Sequence, residues 1–180
     1  ISPILANVYL HYVLDLWFEK CIKKQLYGKA YLIRFADDFL IMFQYERDAQ
    51  RVYEAIIRRM ELFGLELSKE KTRILPFGRN SVSRETFDFL GFTHFNSKTR
   101  KGYYTMGHKI SRKKKKQFKS NLKKWVKENR NTQLDEFMKA LNKKLTGSFN
   151  YYSLSGMIRE IKCLWYHSLF VTFKLMLAYK

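Results

Sequence analysis

The chain has 180 residues, 46% hydrophobic and 17% aromatic, which is enough apolar side chain for a packed core and excludes a disordered tail. Its 35 Lys and Arg against 16 Asp and Glu leave a formal charge of +19, pointing to a polyanionic partner such as nucleic acid. The most apolar stretch, residues 163–179, is broken by His167 and Lys174 and falls short of the roughly 20 residues a membrane-spanning helix needs.

In chain order, Ser2 and Pro3 fit an N-cap followed by a first-turn proline. Leu5, Val8, Tyr9, Tyr12, Val13, Leu16 and Trp17 then recur at helical spacing, giving a wholly apolar face suited to lie beneath a sheet. Gly28 ends the connection. From Tyr31 to Phe43, two β-branched and aromatic runs flank Asp37 and Asp38, the pattern of a tight hairpin with acid at its tip. Neighbouring carboxylates repel, so a fold that keeps both ionised beside an apolar sheet has a cation to offset them. Mg²⁺ suits such a site, because it takes few protein carboxylates and fills its other positions with water and substrate phosphates. A solvated Asp-Asp turn fits the same residues.

Asp48 or a near neighbour opens a second helix with Ala49, Val52, Tyr53, Ile56, Ile57, Met60 and Phe63 on one face, and Gly64 stops it. A short strand over residues 65–68 then leads into Lys69, Glu70 and Lys71. Residues 72–77 and 87–95 read as further strands, separated by a polar loop containing Gly78 and Ser83. Gly91 within the second of these marks a close backbone approach. Another hairpin runs from Asn96 through Gly102 to Met106.

The character changes near Gly107. Ser111 can cap a helix with a narrow apolar stripe of Phe118, Leu122, Trp125 and Val126. Thr132 can cap the next, with Leu134, Phe137, Met138, Leu141 and Leu145 inward and Gly147 at its end. Tyr151 and Tyr152, readable simply as core, lead to a last helix marked by Met157, Ile158, Ile161, Leu164, Trp165, Leu169 and Thr172. From Lys98 to Lys144 there are 17 Lys and Arg against 3 acids, so +14 of the +19 lies there. Aromatics interleaved with this charge could stack on bases. Cys21 and Cys163 fall in apolar helical patterns without metal-ligand spacing and read as reduced core residues in a reducing compartment.

Several blocks in fixed order carry a resemblance. Phe35-Ala36-Asp37-Asp38 resembles the aromatic-x-Asp-Asp box of reverse transcriptases, with Phe where many members have Tyr. Ser2-Pro3-Ile4-Leu5-Ala6-Asn7 resembles the end of the preceding block, Gly64 to Thr72 the following one, and Phe87-Asp88-Phe89-Leu90-Gly91-Phe92 the one after. Residues 98–102, the basic run Arg112, Lys113, Lys114, Lys115 and Lys116, and residues 141–152 resemble the thumb, or maturase, region of group II intron-encoded reverse transcriptases. The resemblance implies an α+β fold: a partial polymerase palm over residues 1–107, an antiparallel sheet with packed helices, followed by an all-α basic thumb bundle over residues 108–180.

It further implies RNA-directed DNA polymerase activity, with Asp37 and Asp38 as ligands of two Mg²⁺ ions. Lys71 is the candidate acid for the pyrophosphate leaving group, although a solvated turn lysine fits the residues equally. Ser2, Pro3, Asn7, Phe35, Ala36, Leu90 and Gly91 become nucleotide or primer contacts. Arg112 to Lys116, Lys119 and Lys123 become nucleic-acid contacts. The implied partners are intron RNA, a template–primer duplex and deoxynucleotide triphosphates, with no membrane and with a homodimer left open. The implied location is a bacterial cytoplasm or an organellar matrix. The family needs a further aspartate from an earlier strand, and Asp15 and Asp88 do not match its motif. The sequence is therefore expected to be an N-terminally truncated piece, inactive alone. An RNA-binding maturase without polymerase activity is the main alternative. Another Mg²⁺-dependent palm enzyme, such as a nucleotide cyclase, ranks below it because it predicts no basic helical appendage.

Overall fold

A computed structural model describes residues 2–68 and 70–177, so Lys69 and the last residues of the apolar stretch ending at 179 lie outside the described residues. The chain forms two compact units, Ile1–Ser83 and Arg84–Lys180.

In the first unit, helix α1 (Ser2–Leu10) continues through π-helical turns at His11–Asp15 and Phe18–Ile22 and a 3₁₀ turn at Lys23–Gln25. Each π turn takes in an extra residue, which rotates everything after it relative to a 3.6-residue count. Val13, Leu14 and Phe18 are the buried residues of this run, while Tyr12 and, ahead of the first π turn, Leu5, Val8 and Tyr9, expected to pack beneath the sheet, are exposed. Cys21 is turned outward by the same rotation, and Cys163 is exposed as well, so neither is the core residue expected.

Strands β1 (Ala30–Phe35) and β2 (Asp38–Phe43) pair antiparallel, with Phe35 opposite Asp38, as the hairpin reading required. Alternation sends Leu32, Phe39, Ile41 and Phe43 onto the core and leaves Tyr31, Ile33, Phe35 and Met42 exposed on the other face. Helix α2 (Glu46–Leu62) closes the core with Ala49, Val52, Ile56 and Met60. Asp48 lies within its first turn, only 1% exposed, and its carboxylate accepts from the N–H of Gly28 at 2.9 Å and of Tyr27 at 3.3 Å. That fastens the loop entering β1. A Cβ on Gly28 would lie 2.6 Å from the Tyr45 ring, so glycine is needed for the approach.

Residues 65–68 and 72–77 are not strands. Leu65 and Leu67 do pack against the core, but the N–H groups of Lys71 and Thr72 donate to the Ser68 carbonyl in a turn. Among the described residues the sheets contain only β1–β2 and a second set of three strands. Alternating apolar residues make a strand only where a ladder partner exists.

The second unit begins with that three-stranded meander: β3 (Thr86–Phe89), β4 (Phe92–Lys98) and β5 (Tyr104–Ile110). The single strand expected over 87–95 is in fact a hairpin, because Leu90 and Gly91 form its two-residue turn. Helices α3 (Arg112–Asn129), α4 (Leu134–Tyr152) and α5 (Ile158–Leu177) follow. Ser111 caps α3 as expected, accepting from the Lys114 N–H at 3.4 Å. Gln133, not Thr132, precedes α4, and α4 runs through Gly147 instead of ending there. A mid-helix glycine costs about 1 kcal/mol. Leu145, Phe149 and Tyr152 pack into the two cores of this unit, enough to carry the helix past it.

One of those cores joins Leu122, Val126, Phe137, Leu141 and Leu145, and the other joins Phe92, Ile110, Met157 and Leu164. The meander therefore shares a compact unit with the helices, and the expected division at 107/108 falls within β5. No described helix is long and apolar enough to cross a membrane.

Candidate active site and nucleic-acid interface

The acid-tipped hairpin turns in two residues, Ala36 and Asp37. Ala36 has φ +54°, and Leu90 at +51° in the second hairpin is the other non-glycine described residue with positive φ. Such a conformation costs a residue with a Cβ about 1–2 kcal/mol, so the surroundings must hold it. At the first hairpin the holder is Arg34, on the core-facing side of β1. Its Nη1 donates to the Ala36 carbonyl at 2.8 Å and to Asn7 Oδ1 at 2.9 Å. Its Nε and Nη2 fork onto the Asp15 carboxylate at 2.8 and 2.7 Å. The hydrogen bonds from Arg34 hold the Asp15 carboxyl below its ordinary pKa, and the same pairing raises that of Arg34.

Asp37 and Asp38 themselves are exposed, and among the described residues neither carboxylate carries a hydrogen bond or ion pair. No group of three or more metal-ligating side chains occurs among those residues. Two free carboxylates at a turn fit Mg²⁺, which completes its octahedron with water and substrate phosphates, and do not fit an all-protein cage.

The reverse transcriptase (RNA-dependent DNA polymerase) family model matches residues 1–94, more than half of the chain and including this hairpin. The chain belongs to the reverse transcriptase family. The group II intron maturase-specific domain matches residues 115–175, which places it with the group II intron reverse transcriptase/maturases. No curated protein matches the chain.

In this reverse transcriptase the structure brings Asn7 and Ala36 together through Arg34, with Asp37 and Asp38 beside them. Ser2 and Pro3 lie exposed at the start of α1, and Asn7 Nδ2 donates back to the Pro3 carbonyl at 3.0 Å. Phe35 is 64% exposed next to the turn. Lys71 is exposed in the turn at residues 70–71, with no contact to Asp37 or Asp38 among the described residues. Asp15 and Asp88 are both engaged, with Arg34 and with the Thr93 hydroxyl, so neither is a free carboxylate.

Leu90 and Gly91 form the turn of the second hairpin, where the Tyr151 hydroxyl donates to the Leu90 carbonyl at 2.9 Å and the Ser111 N–H to the Gly91 carbonyl at 3.0 Å. Arg112, Lys113, Lys114, Lys116, Lys119 and Lys123 are exposed along α3. Lys115 is instead half-buried in an ion pair with Glu160. Arg112 and the four lysines that follow it crowd the N-terminal end of α3 against the helix macrodipole, an arrangement that a bound phosphate offsets. Arg34 escaped the sequence reading, and Tyr151, readable there as core, is instead exposed and carries the contact to Leu90. A charged residue at a core-facing strand position was the available signal for Arg34, since such a group needs a buried partner.

Proposed function

We propose that the protein is an RNA-directed DNA polymerase of a group II intron that also binds its intron RNA and assists splicing. The observation that carries this reading is the pair of unpartnered carboxylates, Asp37 and Asp38, at a hairpin tip inside the segment matched by the reverse transcriptase family. A module that only bound RNA would gain nothing from acid facing a polyanion. In function, residues 1–107 serve as palm and residues 108–180 as thumb.

Asp37, as first ligand, and Asp38, as second, would hold Mg²⁺, and a bound pair of ions would supply activation of the primer 3′-hydroxyl and neutralisation of charge on the leaving oxygens. The remaining work belongs to the chain. Arg34 fixes the turn, Ser2, Pro3, Asn7 and Phe35 position the incoming nucleotide, and Lys71 gives a proton to pyrophosphate. Leu90 and Gly91 support the primer terminus. Arg112, Lys113, Lys114, Lys116, Lys119 and Lys123 grip the phosphates of the template–primer duplex, with Lys115 anchoring α3 to α5. Primer extension on poly-rA/oligo-dT by the protein in its natural full length tests this reading. Deoxynucleotide incorporation that stops with chelator and resumes with Mg²⁺ supports it. Salt-dependent duplex binding without incorporation would leave an RNA-binding maturase.

A further inference from the structure

We infer that Arg34 is a positioning residue for Asp37: its guanidinium sets the plane of the peptide between Ala36 and Asp37, while Asp15 cancels its charge. The inference rests on the polymerase reading for its consequence, and on the hairpin geometry for its substance.

A two-residue hairpin turn has two states related by a flip of its central peptide, and the flip changes the sign of φ at the second residue. The two hairpins that turn in two residues among the described residues differ in that respect. Leu90 and Gly91 both have positive φ, +51° and +83°, whereas at the catalytic turn only Ala36 does. Glycine makes the first case easy. Aspartate also tolerates positive φ better than most residues, so nothing intrinsic to Asp37 forbids the flipped turn. The flip would swing the Ala36 carbonyl off Arg34 Nη1, which holds it at 2.8 Å.

Arg34 is itself fixed. Four of its five N–H groups are engaged, on Asp15 twice, on Asn7 and on Ala36. The partner also matters for charge. An unpaired guanidinium three residues from Asp37 would pair with Asp37 or Asp38 and compete with the cation they bind. The fork onto Asp15 removes that competitor. Lysine keeps the charge but cannot make the fork and the turn contact together.

Arg34→Lys should therefore be examined in two backgrounds, the natural Ala36 and Ala36→Gly. Glycine at the first position favours the observed turn without help. In the full-length protein, Arg34→Lys is expected to slow primer extension about ten-fold or more with Ala36. With Ala36→Gly the loss, taken against Ala36→Gly alone, is expected to be under about three-fold. Amide exchange at Asp38, measured on this 180-residue chain without metal or substrate, should follow the same pattern. Equal losses in both backgrounds would overturn the inference, because a general structural role is indifferent to Ala36. Asp15→Asn should raise the Mg²⁺ concentration for half-maximal rate several-fold, and an unchanged requirement overturns the charge-cancelling part. Should the unmodified protein extend no primer, the polymerase reading fails, and the exchange comparison still decides the role of Arg34.

Discussion

The hydroxyl of Tyr151, on the last turn of α4, donates to the carbonyl of Leu90 at 2.9 Å. Leu90 is a left-handed residue in a two-residue turn, and its carbonyl belongs to the central peptide of that turn. The two described turns with a positive-φ residue other than glycine are thus held the same way, by one side-chain donor on the peptide that could flip.

Tyr151→Phe removes the donor and nothing else of comparable size. We expect a loss of about 1 kcal/mol in the unfolding of this unit. Combining it with Leu90→Gly, which relieves the positive φ, should recover most of that loss. Urea midpoints of the two variants check both expectations, and a Tyr151→Phe midpoint unchanged from the parent would contradict them.

Asp48 terminates the N–H groups of Tyr27 and Gly28 from a fully buried position. Asp48→Ala leaves both donors unpaired and should cost about 2–4 kcal/mol. Gly28→Ala forces the Tyr45 ring to move and should destabilise the same loop. Thermal unfolding followed by circular dichroism separates these from substitutions of exposed α2 residues such as Arg51, which should change little.

His94 and His108 face each other across β4 and β5 with their Nδ1 atoms 3.0 Å apart, and Phe87 stacks on His94. Burial first, and the neighbouring His108 second, depress the pKa of His94. Its folded value then lies below the unfolded one of about 6.5, so the unfolded chain takes up the proton first. The stability this group contributes is complete above that pH and is lost as pH falls through the folded value. The melting temperature should decline from pH 7 toward about pH 5, and His94→Asn should shrink that decline.

Lys113, Lys114 and Lys116 are exposed near the N-terminal end of α3. Replacing all three with Gln should weaken duplex binding without regard to sequence. It should also flatten the slope of log affinity against log salt by about 2–3, near 0.9 for each phosphate no longer neutralised. Binding isotherms at several salt concentrations give both quantities. Lys115→Gln should instead act on stability, through its Glu160 partner.

What the sequence disclosed depended on how local each cause was. The acid-tipped hairpin was legible because alternation, turn length and the Asp37–Asp38 pair all lie within thirteen residues, and Ser111 could be recognised as a cap three residues from its donor. The π turns after Leu10 were not legible, since an inserted residue leaves no mark in an apolar run and silently rotates the buried face. In α5 the apolar residues fall on every side of the helix, with Leu164, Trp165 and Tyr166 in succession and then Leu169, Phe170 and Val171, so periodicity did not select one face. The buried stripe proves to be Leu164, Ser168 and Thr172, while Trp165 and Leu169 are exposed. Leu65 and Leu67 have the alternation of a strand but meet a core in place of a ladder. Arg34, Asp15 and Asn7 are brought together across 27 residues, and no spacing rule connects them.

Asp37 as a metal ligand is the claim on which the rest depends. The decisive measurement is primer extension with Mg²⁺ by the full-length protein and its Asp37→Asn variant, beside duplex affinity for both. Losing a direct ligand should remove several kcal/mol of transition-state stabilisation, a fall in rate of about a thousand-fold, with duplex affinity essentially unchanged. A variant that extends primers at the parental rate would contradict the account.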